Sequence, residues 1–397
     1  MLHRYLMSHR YLGIAVLLVV LVAGCAKKPP VEVEPPVIEL EPPVIEVPAL
    51  TPVAWEQLDG WEEDHPAPAL EAFRNSCVSL RWREEWRAVC SLAQQIDAVD
   101  SLTVRNFFEQ YFVPHQVRNA DGSSSGLMTG YYGPELRGSR VPTEEYRYPL
   151  YRQPDDMLII DLDGLYPELG NYRLRGRVEG NRVVPYFDRR QIDFGEDPLT
   201  GSELFWVADP VELFFLHIQG SGSILLPDGE SVVVNYANQN GHPYRSIGKL
   251  LLDRNEMTRD QMSMQNIRRW VERNPQAGKQ LLAENPSYVF FRELPPGTQS
   301  PPGAMGIPLT PLRSLAVDPR TIPLGAPVFL STTFPGAGDL PLRQLMVAQD
   351  TGGAIKGRVR GDFFWGMGNS AGELAGRMRN QGELWVLLPK EMTATRQ

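Results

Sequence analysis

Residues 347–366 read Val347-Ala348-Gln349-Asp350-Thr351-Gly352-Gly353-Ala354-Ile355-Lys356-Gly357-Arg358-Val359-Arg360-Gly361-Asp362-Phe363-Phe364-Trp365-Gly366. An apolar run ends on an acid, a glycine-rich turn follows, and a second acid opens an aromatic run. Similar short runs surround it: Ser314–Val317, Pro327–Leu330, Leu345–Ala348 and Glu383–Leu388, separated by Pro and Gly turns, with a short helix expected at Ala371–Arg379. Many short strands joined by irregular turns predict a compact barrel and not an open parallel sheet.

Upstream, the periodicity changes twice. Apolar residues at helical intervals predict helices over Ala69–Arg87 and Ser91–Tyr111. From 127 to about 240 the chain is rich in Tyr, Val, Gly and Pro. Runs such as Tyr172–Val178 and Ser231–Tyr236 predict strands, with turns at Glu179-Gly180-Asn181 and Asp228-Gly229. Residues 244–284 return to a helical pattern around Ile247, Leu250, Leu251, Ile267, Trp270 and Val271.

The 397 residues are 42% hydrophobic and 22% charged, a globular composition long enough for two domains. Thirty-five Gly and 35 Pro exclude a coiled coil, and a net charge of −9 argues against a nucleic-acid partner. One apolar run, Tyr11–Gly24, follows Arg4, His9 and Arg10 and reads as a secretory signal, too short for a comfortable membrane span. It ends in Val22-Ala23-Gly24-Cys25, which resembles a bacterial lipobox. That resemblance implies a signal peptide over 1–24 and acylation of Cys25. With no Asp at position 26, it also implies anchoring at the periplasmic face of the outer membrane. Losing Arg4 and Arg10 would take the charge from −9 to −11. Residues 29–52 repeat a Pro-Pro-Val-x-Glu theme with five glutamates and no base. We expect an extended spacer there, within a lipidated tether over 25–54.

Cys77 and Cys90, thirteen positions apart, remain as a candidate disulfide pair, although spacing alone does not give the geometry. Two cysteines are too few for structural zinc, and the six His lack metal-ligand spacing, so no metal or cofactor is expected. No P-loop occurs, and the polar, glycine-rich stretch 118–126 (RNADGSSSG) reads as a break between two patterns. His217-Ile218-Gln219-Gly220-Ser221-Gly222 contains a GxG, but reads first as a tight turn after an apolar run.

The chemistry therefore rests on carboxylates. Asp362 lies beside Phe363, Phe364 and Trp365, where desolvation would raise its pKa toward that of a general acid; the alternatives are a turn-capping Asp350 and a solvated Asp362. Asp350-Thr351-Gly352 also suggests an aspartic protease, which would require a homodimer because the motif occurs once.

Several segments together resemble the membrane-bound lytic murein transglycosylase A family. They are Thr129-Gly130-Tyr131-Tyr132-Gly133-Pro134, Tyr148-Pro149-Leu150-Tyr151, Gln219-Gly220-Ser221-Gly222, Asn240 to Gly248, Asn285 to Phe291, Ala316-Val317-Asp318 with Ile322-Pro323-Leu324-Gly325, and Asp350 to Trp365 with Ala371-Gly372. The matches run in order from about 127 to 388.

The resemblance implies a mainly β fold with flanking helices. A double-psi β-barrel would be interrupted by a smaller β-rich domain, with a glycan groove between them. The expected pieces are a helical part with the first barrel piece at 55–135, an insert at 136–296 and the second barrel piece at 297–390. The implied reaction cleaves the β-1,4 bond between N-acetylmuramic acid and N-acetylglucosamine in peptidoglycan and leaves a 1,6-anhydro end. Asp362 takes the catalytic role by position in the motif. Asp350, Asp318, Thr129, Tyr131, Tyr132, Gln219, Ser221, Tyr244, Lys356 and Trp365 are candidates to bind or orient substrate. The family association also implies contacts with cell-wall synthesis proteins. A monomer is expected in the absence of an exposed heptad, and a non-catalytic peptidoglycan-binding lipoprotein is the competing reading.

Overall fold

Strand pairing brings the two ends of the folded chain into one sheet. The structure, a computed structural model, describes residues 47–394 except 98, 99, 260 and 337. The expected signal peptide, Cys25 and most of the spacer lie outside the described residues. The first sheet has eight strands in the order Leu50–Pro52, Phe112–Val117, Arg379–Pro389, Pro327–Thr333, Pro341–Asp350, Ser314–Val317, Arg360–Met367 and Gly126–Gly133. Gly126–Gly133 pairs again with Arg379–Pro389, from Gly126 opposite Gly382 to Thr129 opposite Arg379, so the pairing returns to that strand after six. A second sheet runs Val289–Glu293, Ser231–Gln239, Ser221–Leu225, Glu135–Ser139, Glu203–Val207 and Tyr148–Tyr151. Leu158–Ile159, Arg175–Glu179 and Arg182–Pro185 form a third, small sheet.

Three features differ from the sequence reading. The end of the expected spacer is folded: Leu50–Pro52 pairs antiparallel with Phe112–Val117, so its backbone groups are met by a strand edge. The two long N-terminal helices are three, Ala67–Leu80, Glu84–Ala93 and Ser101–Tyr111. The Cys77–Cys90 disulfide folds the first two back on each other, and Asp100 starts the third by accepting from Leu102 N and Thr103 N. The stretch read as β over 127–240 contains a buried helix, Pro210–Gln219. Its signals are Asp209 as N-cap, Pro210 in the first turn and Gly220 as a left-handed C-cap at φ 78°. An apolar run with few polar positions had masked its period.

The helical part grips the first sheet through polar anchors as well as packing. Phe73, Trp86, Phe108, Phe112 and Phe329 lie in its core. Asp64 accepts from Leu345 N at 2.7 Å and from Arg313 Nη1 at 3.3 Å. Gln349, fully buried, donates to Ala72 O at 2.8 Å and to Ser76 Oγ at 3.0 Å. At the other end of the sheet, Asp318 is clamped by Arg320 Nε at 2.9 Å and Nη2 at 2.6 Å, and accepts from Gly357 N at 2.9 Å. It thereby ties the end of Ser314–Val317 to the turn preceding Arg360–Met367.

Replacing both Cys77 and Cys90 by Ala should lower stability by about 3 kcal/mol, read as a fall in the urea midpoint, because the unfolded chain regains the freedom of the loop that the disulfide closes. The Arg320 side chain and the backbone donors hold the Asp318 carboxyl well below the usual carboxylate range. A group depressed on folding stabilises above its unfolded pKa and loses that contribution on acidification. Asp318→Asn should therefore lower the Tm at pH 7, with the gap to wild type narrowing as pH falls below about 4 in a thermal-melt series.

Candidate active site

Four strands set one row of residues in register. Asp350 ends the strand Pro341–Asp350 opposite Ala316, Ala316 lies opposite Asp362, and Asp362 lies opposite Thr129. The pleat puts alternate residues on one face, so Arg360, Asp362 and Phe364 share a face and meet Leu127, Thr129 and Tyr131 of the parallel neighbour. Phe363 and Trp365 point the other way, into the main core. The methyl of Ala316 is all that one strand places between the two acids, which leaves room for both carboxyl groups.

Thr129 donates its hydroxyl to Asp362 Oδ1. Arg360 Nη2 donates to the same hydroxyl oxygen at 2.7 Å. Burial raises the Asp362 pKa; Thr129 and then Arg360 pull it back, and Asp350 adds a smaller upward push, leaving it at about 6. Asp350 is built differently. It accepts from Tyr131 OH at 3.0 Å, from Ala304 N at 3.0 Å and from Thr351 N at 2.9 Å. Burial raises its pKa too, but three donors oppose the shift. Burial thus raises both acids, and Asp350 is the more heavily hydrogen-bonded of the two.

Beneath the row, Tyr131, Leu309, Ala316, Ile355 and Phe364 form a small apolar cluster, with the Tyr131 and Phe364 rings 5.1 Å apart. Burial and the two aspartates hold the Tyr131 phenol far above its ordinary pKa, so it acts as a neutral donor.

The remaining candidates divide. Gln219, at the end of its helix, accepts from Tyr132 N at 3.2 Å, which brings the Gln219-Gly220-Ser221 segment against the strand that carries Thr129. Ser221 is buried and opens the strand paired with Ser231–Gln239. Tyr132 is buried, with its hydroxyl on Met264 Sδ at 3.2 Å, and burial pushes its pKa to about 12. Trp365 is a core residue, 6% exposed, packed on Phe363 at 4.5 Å and Phe334 at 5.5 Å. It occupies the space over Gly130, where a Cβ would lie 2.6 Å from its Nε1. A sugar-stacking role is therefore closed to it. Asp318 is committed to Arg320 and Gly357, as described. Tyr244, 53% exposed, and Lys356, exposed on the glycine turn, stand outside the hydrogen-bonded row.

Two residues of the site were not legible as such in the sequence. Arg360 is two positions before Asp362, so a strand period applied there would have placed both on one face. Ala316 is visible only once the strands are in register.

Comparisons with known proteins give the family. A model of the MltA specific insert domain matches residues 127–292, and a 3D domain model matches residues 313–388. The membrane-bound lytic murein transglycosylase A of Escherichia coli K12 is 34% identical over 279 residues, covering 68% of each chain. The Vibrio cholerae protein of the same name is 32% identical over 282 residues, again with 68% of each chain covered. Among solved structures, MltA from Neisseria gonorrhoeae superposes with a TM-score of 0.75 at 40% identity, over 87% of this chain and 96% of that one. The membrane-bound lytic murein transglycosylase of Agrobacterium tumefaciens gives 0.77 at 35% identity, over 88% and 99%. Escherichia coli MltA with bound chitohexaose gives 0.63 at 28% identity, over 87% and 93%. Two family models that together span most of the folded chain, and relatives above 30% identity across two thirds of their length, establish that this chain belongs to the membrane-bound lytic murein transglycosylase A family.

Proposed function

We propose that this protein is a peptidoglycan lytic transglycosylase in which Asp362 serves first as acid and then as base. The observation that carries the reading is the row in register: a carboxyl with a pKa raised to about 6, held by Thr129, next to a second carboxyl fixed by Tyr131 and two backbone donors. The names of the relatives supply the substrate class, and the chitohexaose bound to one of them supports a β-1,4-linked glycan as the ligand.

In the proposed sequence, Asp362 donates its proton to the glycosidic oxygen as the bond to C1 of N-acetylmuramic acid breaks. The C6 hydroxyl of the same sugar attacks C1, and its proton passes to Asp362, which returns to the acid form. The product carries a 1,6-anhydro ring, no water is consumed, and no second carboxylate is needed as nucleophile or base. Asp350 orients the site; its three donors suit a fixed acceptor better than half of a proton-sharing protease pair. Thr129 and Tyr131 orient Asp362 and Asp350 by donating to them, and Gln219, beside Tyr132, is a further group to bind the glycan.

The wider architecture follows the same proposal. The return of pairing after six strands supports a double-psi barrel built from 55–135 and 297–390. The separate pairing of the strands between Glu135 and Glu293 supports an insert over 136–296. The relatives are named membrane-bound, and no helix among the described residues is long and apolar enough to cross a membrane. Attachment through an acylated Cys25 at the outer membrane accounts for both.

Purified full-length protein in detergent should release anhydro-muropeptides from peptidoglycan, identified by mass, and Asp362→Asn should cut the rate by about 10²–10⁴-fold. Reducing-end products from wild type would refute the single-aspartate mechanism, and binding without any cleavage would favour the non-catalytic reading. Because the acid must start protonated, the rate should fall about tenfold per pH unit above pH 6, with about a tenth of the enzyme active at pH 7. Burial makes ionised Asp362 a cost to the fold, incurred as pH rises through the unfolded and then the folded pKa. Asp362→Asn should thus be folded and, at pH 8, more stable than wild type by on the order of 3 kcal/mol, an advantage that shrinks as pH falls from about 6 to about 4 and is lost below that in thermal melts.

A further inference from the structure

Asp362 has two carboxyl oxygens with unequal surroundings. Oδ1 accepts from the Thr129 hydroxyl. That hydroxyl owns a single proton, and its oxygen accepts from Arg360 Nη2 at 2.7 Å. A guanidinium has donors and no acceptor, so Thr129 cannot donate toward Arg360 and its proton is left for Asp362. Arg360 is itself held in place. Nη1 donates to Leu127 O at 3.1 Å and to Gly361 O, the carbonyl beside Asp362. A planar fork spanning the neighbouring strand and the Thr129 hydroxyl fixes direction in a way that a flexible cation would not.

Resting on the reading of Asp362 as acid and then base, we propose that Arg360 is a positioning residue: it locks the Thr129 hydroxyl as an obligate donor to Oδ1, so that Oδ2 carries the proton that is delivered to the leaving sugar oxygen and later recovered from the C6 hydroxyl. The bond to Oδ1 persists through the cycle and strengthens when Asp362 is ionised, which eases proton release from a buried group. The other groups facing Asp362 do not supply this. Asp350 comes from Pro341–Asp350, already bonded to Tyr131 OH. Ser314–Val317 presents Ala316, with no charge. Arg379 lies opposite Thr129 on Arg379–Pro389, with its side chain exposed.

The test is a double-mutant cycle in full-length protein, with kcat and KM on solubilised glycan strands measured from pH 4 to 9. Without Arg360 the hydroxyl is free to turn, and Asp362 becomes a weaker acid. Arg360→Gln should lower kcat by about tenfold, change KM less than twofold and move the alkaline limb of the kcat profile up by about one pH unit. Thr129→Val should do the same, Thr129→Ser should keep the wild-type limb, and adding Arg360→Gln to Thr129→Val should shift the limb by less than Arg360→Gln shifts it alone, the remainder being the direct pull of the guanidinium charge on Asp362. A limb unmoved in Arg360→Gln despite lost kcat would reduce Arg360 to packing, and a shift on adding Arg360→Gln to Thr129→Val as large as Arg360→Gln gives alone would mean that it acts by charge alone; either result overturns the proposal. Should Arg360→Gln fail to fold, the Thr129 pair decides: a wild-type limb in Thr129→Val removes the lock. Full activity in Asp362→Asn is a separate failure, that of the acid–base reading itself.

Discussion

Everything at the site depends on burying one carboxyl group without silencing it. Desolvation alone would push Asp362 so high that it could not release its proton readily, while full solvation would leave it ionised at neutral pH. The Thr129 hydroxyl, backed by Arg360, offsets part of the desolvation, and the result is an acid near 6. That balance requires four strands in fixed register, because Thr129 and Asp362 are 233 positions apart in the chain.

The register in turn is held from behind. Gln349 and Asp350 are consecutive, so the pleat sends them to opposite faces. Gln349 locks into the helix Ala67–Leu80 through Ala72 O and Ser76 Oγ, and Asp350 is thereby presented on the site's face. Trp365 works in the same way on the next strand. Seated over Gly130 and against Phe363, it keeps the Asp362 strand flush with the Thr129 strand. The N-terminal helices are therefore a brace for the acids, and the disulfide stiffens that brace. Asp318, through Gly357, fixes the turn between the two aspartates.

The proposed mechanism places opposite demands on the two acids. An acceptor with three donors, such as Asp350, is stable in position but a poor proton carrier; a buried carboxyl that accepts from Thr129, such as Asp362, suits the carrier that the proposal requires. Two aspartates twelve positions apart acquire different chemistry because Asp350 ends a strand beside the Ala304 amide, while Asp362 lies inside one beside a threonine.

Much of this was legible in the residue order. Strand-sized apolar runs, the glycine turn between Asp350 and Asp362 and the aromatic run after it are local patterns, and local patterns are what a linear chain displays. The buried helix Pro210–Gln219 was also announced, by Asp209, Pro210 and Gly220, yet its uniformly apolar body hid the period that separates helix from strand. What only folding decided is pairing across distance. Nothing near Trp365 in the chain says that Gly130 lies under it, nothing near Asp362 says that Thr129 and Arg360 will share one hydroxyl, and nothing in Asp318 says that Arg320 and Gly357 will claim it. Side-chain type is set residue by residue, but a pKa, a hydrogen-bond direction and the choice between core and cleft depend on neighbours that only strand register brings together.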